Sequence, residues 1–208
     1  SFFFQADAGI RVYDVTGVQT CALPIFPRPI FTSASMKYIP SRFQSTFLGD
    51  LDVEVEFDAK IGAMTYFTVG GRADALVRPR SSDALSILLR RCHEAEIPLR
   101  VLGRGANLLV DDIGVDGVVI KLDHENFTKT RFNREGSIEA LHTMAGADLA
   151  TVLMETVRYG LSGLDQMAGI PATFGGAIRM NAGGLYGCIF DSLTTVTCLT
   201  DEIGRAHV

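Results

Sequence analysis

Ala168–Gly187 reads AGIPATFGGAIRMNAGGLYG, with glycine at Gly169, Gly175, Gly176, Gly183, Gly184 and Gly187. Each glycine held in regular structure costs about 0.5–1 kcal/mol relative to alanine. Glycine at this density belongs where backbone must lie against something flat or bulky, or where two backbones pack closely. Gly175, Gly176 and Ala177 read as the opening of a short helix whose N-terminal amides face a ligand. Close packing of two backbones is the competing reading.

Upstream stand two further glycine segments, Thr68-Val69-Gly70-Gly71 and Leu102–Val110 (LGRGANLLV). In the second, glycine permits positive φ and leaves no Cβ, so successive N–H groups converge on an anion. A pyrophosphate needs many donors, and such a turn supplies them without burying a charge. Asn107 adds a side-chain amide or fixes the turn through its own backbone. By itself a Gly-x-Gly between strands is more often a tight connection than a ligand site.

The segments between are regular. Ala73–Arg78 is a strand stopped by Pro79. Ser81 or Ser82 then caps a helix to about Glu96, with Leu85, Leu88, Leu89 and Cys92 on one face. Leu99–Leu102 follows as a strand, completing a strand–helix–strand unit of the kind that builds a parallel pair. Leu108–Val110 is extended, Asp111–Gly117 turns, and Gly117–Leu122 is a strand. Glu125–Gly136 is polar, an exposed hairpin or loop, before the strand Ser137–Ala145. Asp148 caps a second helix with Leu149, Val152, Leu153 and Val157 inward and Gly160 at its end. Leu193–Thr200 is a final β-branched strand.

In order along the chain, Thr65–Gly71 (TYFTVGG), Leu102–Val110, Gly117–Ile120 (GVVI), Ala168–Ala177 (AGIPATFGGA) and Met180–Gly187 (MNAGGLYG) resemble the motifs of the UDP-N-acetylenolpyruvoylglucosamine reductases. Leu161–Leu164 (LSGL) resembles the segment that family carries just before AGIP. The resemblance implies an α+β, two-lobed FAD-binding fold of the vanillyl-alcohol-oxidase or PCMH type, with the second lobe incomplete here. It implies noncovalent FAD, NADPH as hydride donor, and a small UDP-sugar as substrate in a cytoplasmic enzyme of peptidoglycan precursor synthesis. By the same resemblance Gly103, Arg104, Gly105, Ala106, Asn107 and Leu108 meet the cofactor around its pyrophosphate. Ile170, Pro171, Thr173, Gly175, Gly176, Asn181, Ala182 and Gly183 line the rest of it, and Tyr186 lies on the substrate side.

The chain departs from the family pattern at several places. Arg104 stands where glycine is usual and Ala106 where serine is usual. The lost hydroxyl removes one hydrogen bond worth about 0.5–1.5 kcal/mol. Ala172 replaces a usual glycine, and Gly184-Leu185 adds a residue before Tyr186. The family's arginine, in a YRxS-like motif, and its serine and glutamate have no counterpart here, since Arg158-Tyr159 is in the wrong order. No catalytic role therefore falls on a residue of this sequence, and the chain as it stands is expected to be inactive. Two other readings are kept: an FAD-linked 2-hydroxy-acid oxidase of the same fold, and a non-catalytic nucleotide-binding module.

The two ends read differently from the middle. Ile203–Val208 (IGRAHV) and Thr20–Ile25 (TCALPI) are translations of the two strands of one DNA segment, which resembles a sequencing-library adapter. Residues 1–25 and 203–208 are therefore set aside as adapter-like, as one sets aside a fusion scar. Residues 26–63 form an extension, partly disordered, with a possible start at Met36, and regular structure is expected from about Met64. The first lobe then spans 64–125 and the second 126–202.

Composition narrows the rest. With 47% apolar residues the chain suits a globular core. A formal charge of -5 without a basic stripe argues against nucleic acid, and no apolar run is long enough to span a bilayer. Cys21, Cys92, Cys188 and Cys198 form no CxxC pair, which suits a reducing compartment, and Cys188 reads as a small buried thiol. His93 sits on an exposed helix face, and His124 and His142 lack metal-ligand spacing. Asp111, Asp112 and Asp116 lack the closing glutamate of a calcium loop and read as a turn, so no metal is expected.

Overall fold

The structure is a computed structural model that describes residues 3–7, 47–135, 138–199 and 205–207. The readings of residues 1–2, 8–25, 203–204 and 208 as adapter-like, and of 26–46 as part of the extension, lie outside the described residues. The described chain forms two compact units, one from residue 47 to Lys121 and one from Leu122 onward together with Phe3–Asp7. Phe3–Asp7 is strand β1 of that second unit.

The first unit opens on β2 (Val53–Ala59), so regular structure starts before Met64. The signal for it is the alternation in VEVEFDA, where Val53 and Val55 are half-buried and Glu54 and Glu56 exposed. Strand β3 (Ala73–Pro79) includes the proline expected to stop it. Pro79 is the last residue of the strand, a position where a missing N–H is tolerated. Helix α1 (Ser82–Glu94) follows, and the Ala84 N–H donates to the Ser81 hydroxyl at 3.2 Å. Leu85, Leu88, Leu89 and Cys92 are buried, each leucine contributing about 1.5–3 kcal/mol.

Strands β4 (Leu99–Val101) and β5 (Val115–Ile120) complete a sheet of order β2-β3-β5-β4. Strand β2 is antiparallel to β3, and both β3 and β4 are parallel to β5. This corrects the expected pairing: the strands joined through α1 do not touch, because β5 lies between them. Sequence-local patterns identify the crossover but not the strand that later fills its gap. Leu108–Val110 forms no strand, and Leu102 N–H bonds the Ile120 carbonyl at 2.8 Å just past β4.

The second unit holds a five-stranded sheet of order β11-β10-β1-β7-β6. Its members are β6 (Thr130–Glu135), β7 (Ile138–Met144), β10 (Thr195–Leu199) and β11 (Arg205–His207), with β1 between β7 and β10. Strand β1 is antiparallel to both neighbours, with Gln5 opposite Met144 and Phe3 opposite Leu199. Residues set aside on sequence grounds thus take part in the sheet. Any extended segment with free amides completes a gap between two strand edges, whatever its origin. Of the hairpin and loop alternatives for this polar stretch the hairpin is found, with β6 as one arm against β7, after a 3-10 turn Glu125–Phe127 that buries Phe127.

Helix α2 (Leu149–Arg158) begins at Asp148, whose carboxylate accepts from the Thr151 N–H at 2.9 Å. Leu149 and Val152 are buried, but Val157 is 55% exposed and Thr156 is buried in its place. At about 100° per residue Thr156 falls between Leu149 and Val152, whereas Val157 lies beyond Leu149 on the other side. The Thr156 hydroxyl is satisfied by the Leu153 carbonyl at 2.7 Å. Gly160, at φ 70°, ends the helix, with Leu161 N–H on the Thr156 carbonyl and Gly160 N–H on that of Val157. This is a paired C-terminal closure that an αL residue makes possible. Helix α1 ends the same way with Glu96 at φ 53°, where Ile97 N–H reaches the Cys92 carbonyl at 2.8 Å.

A short helix α3 (Phe174–Arg179) and a small hairpin of β8 (Gly183–Gly184) and β9 (Gly187–Cys188) complete the unit. Its core gathers Leu141 from β7, Leu149 and Val152 from α2, Phe174 and Ile178 from α3, and Val196 from β10.

Candidate functional site

In the first unit, Gly62–Gly71 runs alongside Gly105–Gly114, knitted by backbone. Tyr66 N–H donates to the Gly105 carbonyl at 3.1 Å and Gly71 N–H to that of Asp111 at 2.9 Å. The glycines are there because nothing larger fits. A Cβ on Gly70 would stand 2.3 Å from the Val110 carbonyl oxygen, and one on Gly62 2.2 Å from that of Gly70. Gly62 was not singled out from the sequence; an isolated glycine gives no local sign of the backbone it will meet. Gly105 has φ 67°, and a Cβ there would lie 2.8 Å from Met64 O and Thr65 Cα. Buried Thr65 closes the arrangement through its hydroxyl, which donates to the Gly62 carbonyl at 2.8 Å.

Within Gly103–Asn107, carbonyls and amides behave differently. The Gly105 carbonyl is used, but the amides of Gly103, Gly105, Ala106 and Asn107 donate to no acceptor among the described residues. Gly105 is buried, Gly103, Ala106 and Leu108 are half-buried, and Arg104 and Asn107 are exposed. Of these residues only Gly105 is buried; a buried amide left without a partner costs about 1–3 kcal/mol, so an acceptor beside this loop is favoured. Asp111 serves the next turn, accepting from Ile113 N–H at 2.9 Å through its side chain and from Gly114 N–H through its carbonyl.

In the second unit, Ala168–Gly187 is laid against the turn that follows β7. Here the expectation of ligand-facing amides at the start of α3 is corrected. Phe174 N–H donates to the Ala147 carbonyl at 2.8 Å, Gly175 N–H to that of Ala145 at 2.8 Å, and Gly176 N–H to the Thr173 hydroxyl at 3.2 Å. All three amides at the helix start have protein partners. Gly175 is a close-packing glycine, since its Cβ would meet the Ala145 Cβ at 2.8 Å. Thr173 acts as the helix cap, half-buried like Ile170 and Ala182, while Pro171 is exposed. Gly146, at the end of the turn after β7, is likewise a close-packing glycine, since a Cβ there would collide with the Leu122 carbonyl oxygen.

Asn181 has φ 44° and closes α3, with Ala182 N–H on the Ala177 carbonyl at 2.8 Å. It is the third αL closure of the chain and sets the direction of the hairpin that follows. Gly183 pairs with Cys188 and Gly184 with Gly187, so Leu185 and Tyr186 occupy the turn. The extra residue before Tyr186 is thus absorbed at the tip, where Leu185 is 91% and Tyr186 88% exposed. The hairpin base is fixed by Cys188 N–H on the Asp191 carboxylate at 2.8 Å and Ile189 N–H on the Ala182 carbonyl at 2.8 Å.

His93 is exposed, and His124 Nδ1 accepts from Asn126 N–H at 3.3 Å. Cys188 is half-buried rather than buried, while burial pushes the Cys92 thiol up to about 12 and raises that of Cys198. No helix among the described residues is long and apolar enough to cross a membrane.

Comparison with known proteins identifies the family. The family described as FAD binding domain matches residues 73–207. A UDP-N-acetylenolpyruvoylglucosamine reductase of Synechococcus sp. (strain RCC307) is 39% identical over 159 residues, 75% of this chain and 50% of that protein. The crystal structure of the corresponding reductase from Thermus caldophilus superposes with a TM-score of 0.57 at 31% identity, covering 75% of this chain and 52% of that one. An alkyldihydroxyacetonephosphate synthase shares the fold at a TM-score of 0.58 and 19% identity, over 81% of this chain and 37% of the other. The chain spans about half the length of the curated relatives it matches.

Proposed function

From the premise that this chain belongs to the FAD binding domain family, in its mixed α+β PCMH-type fold, we propose that it is the FAD-holding part of an NADPH-dependent reductase. That enzyme would convert UDP-N-acetylglucosamine enolpyruvate to UDP-N-acetylmuramate in the cytoplasm. The observation that carries the reading is the run of amides at Gly103, Gly105, Ala106 and Asn107 that have no acceptor among the described residues, on a loop where Gly105 leaves no room for a Cβ. Donors without charge, held on a backbone that cannot shift, suit a pyrophosphate.

In this reading the pyrophosphate takes those amides, with Arg104 and Leu108 bordering them. Ile170, Pro171, Thr173, Gly175, Gly176, Asn181, Ala182 and Gly183 border the rest of a noncovalently held FAD. Because the amides of Gly175 and Gly176 are engaged, these two glycines contribute a flat backbone surface rather than donors. Tyr186, at the exposed hairpin tip, lies toward the substrate. Bound FAD supplies two-electron hydride chemistry; the residues of this chain bind and orient it. No residue here is assigned to proton donation or enol stabilisation, so the chain alone would bind flavin without turning over the UDP-sugar.

Purified protein tests this directly. It should carry FAD that is released intact on denaturation, and should show no NADPH oxidation dependent on the enolpyruvyl sugar. Failure to bind FAD, even on titration, would remove the assignment; substrate-dependent oxidation would remove the claim of inactivity.

A further inference from the structure

Next to the loop whose amides have no acceptor among the described residues stands a pair of exposed aromatic side chains. Thr68 N–H donates to the Thr65 carbonyl at 3.1 Å, closing a turn whose two central residues are Tyr66 and Phe67. Both rings face outward, Tyr66 70% and Phe67 46% exposed, with Val69 at 52% and Leu109 at 39%. Their centroids are 6.3 Å apart with planes at 87°. The turn is held in place at both ends. Tyr66 N–H bonds the Gly105 carbonyl, so it moves with the loop that carries the amides, and Thr68 is fixed at φ 55°. A β-branched residue in the left-handed region is an outlier that costs on the order of 1 kcal/mol or more. Here that residue ends the turn that carries two aromatic side chains exposed to solvent, a state that water disfavours.

We propose that Tyr66 and Phe67 form an aromatic platform, one ring offering its face and the other its edge, for a flat heteroaromatic ring of the dinucleotide whose pyrophosphate lies on Gly103–Asn107. The inference rests on the FAD reading and adds the residues that hold a ring rather than the phosphates. A planar ring suits the site because a dinucleotide carries one on each side of its pyrophosphate, and the platform is tied to the amide loop by a single backbone bond. Aromatic stacking of this kind is tolerant of ring identity, so adenine and isoalloxazine share the chemistry.

The test uses the full chain and the Tyr66→Ala/Phe67→Ala double variant, titrated calorimetrically with FAD, ADP and FMN. Because both rings are exposed, the variant should match the parent in circular dichroism and urea midpoint. FAD affinity should fall about tenfold or more. An accompanying loss for ADP places adenine on the platform, and a loss for FMN places isoalloxazine there. Tyr66→Phe should retain parental affinity. If the parent binds FAD and the double variant binds it equally well, the platform is refuted while the FAD reading stands. If the parent binds no FAD, both fall together.

Discussion

Replacing Gly105 with alanine separates two demands that glycine meets in the amide loop. The residue has φ 67°, and an added methyl would stand 2.8 Å from Met64 O and from Thr65 Cα. The left-handed backbone alone costs an L-residue about 1–2 kcal/mol. The clash is with backbone on a buried strip, so relief requires the two strips to part, at about 1–3 kcal/mol. Parting them lengthens the Tyr66–Gly105 hydrogen bond of 3.1 Å. We expect a loss of about 2–5 kcal/mol in the first unit and FAD affinity weakened at least tenfold. Gly160→Ala is the control, since Gly160 has φ 70° with nothing within 4 Å and keeps only the backbone penalty of about 1–2 kcal/mol. Urea unfolding followed by circular dichroism gives the totals, and amide exchange over Leu102–Val110 reports the loop itself. Should Gly105→Ala prove no more harmful than Gly160→Ala and bind FAD like the parent, close approach is not why glycine is there.

Asp148→Ala removes the cap on α2, which accepts from Thr151 N–H and hydroxyl at 2.9 and 3.0 Å; urea unfolding should show a loss of about 1 kcal/mol. Glu96→Gly should do the reverse, raising stability by about 0.5–1 kcal/mol because glycine adopts the αL closure of α1 without strain. The Arg91 guanidinium, 2.6 Å from both Asp50 carboxylate oxygens, holds that carboxyl below its usual range. Its contribution is therefore present above the unfolded-state value and lost as pH falls through the lower folded value. Asp50→Asn should flatten that part of an acid stability profile, and an unchanged profile would count against it. Alkylation at about pH 8, read by site-resolved mass spectrometry, should leave Cys92 and Cys198 unmodified until the protein unfolds. Burial raises both thiols.

What the sequence revealed was local. Helices α1 and α2 were legible because their apolar residues repeat at helical spacing and Ser81, Asp148 and Gly160 mark their ends. The motif segments were equally plain as glycine loops. The partners of those loops were not. Whether the Gly175 amide faces a ligand depends on the Ala145 carbonyl, thirty residues away in the chain. The same gap in reach hid the insertion of β5 between β3 and β4 and the reasons for Gly62 and Gly146. Strand β2 is legible in the alternation of VEVEFDA, although it borders a proline- and serine-rich stretch that has no period. Val157 illustrates a finer miss, since a ten-residue helix buries a stripe too narrow to include it.

Strand β1 joins two ribbons, β10–β11 on one side and β6–β7 on the other, that share no ladder of their own. Without those five residues each ribbon would present a raw margin of amides and carbonyls. Protein made without the first residues should then clump by mutual strand addition, and a short extended peptide that fits the breach should keep it in solution.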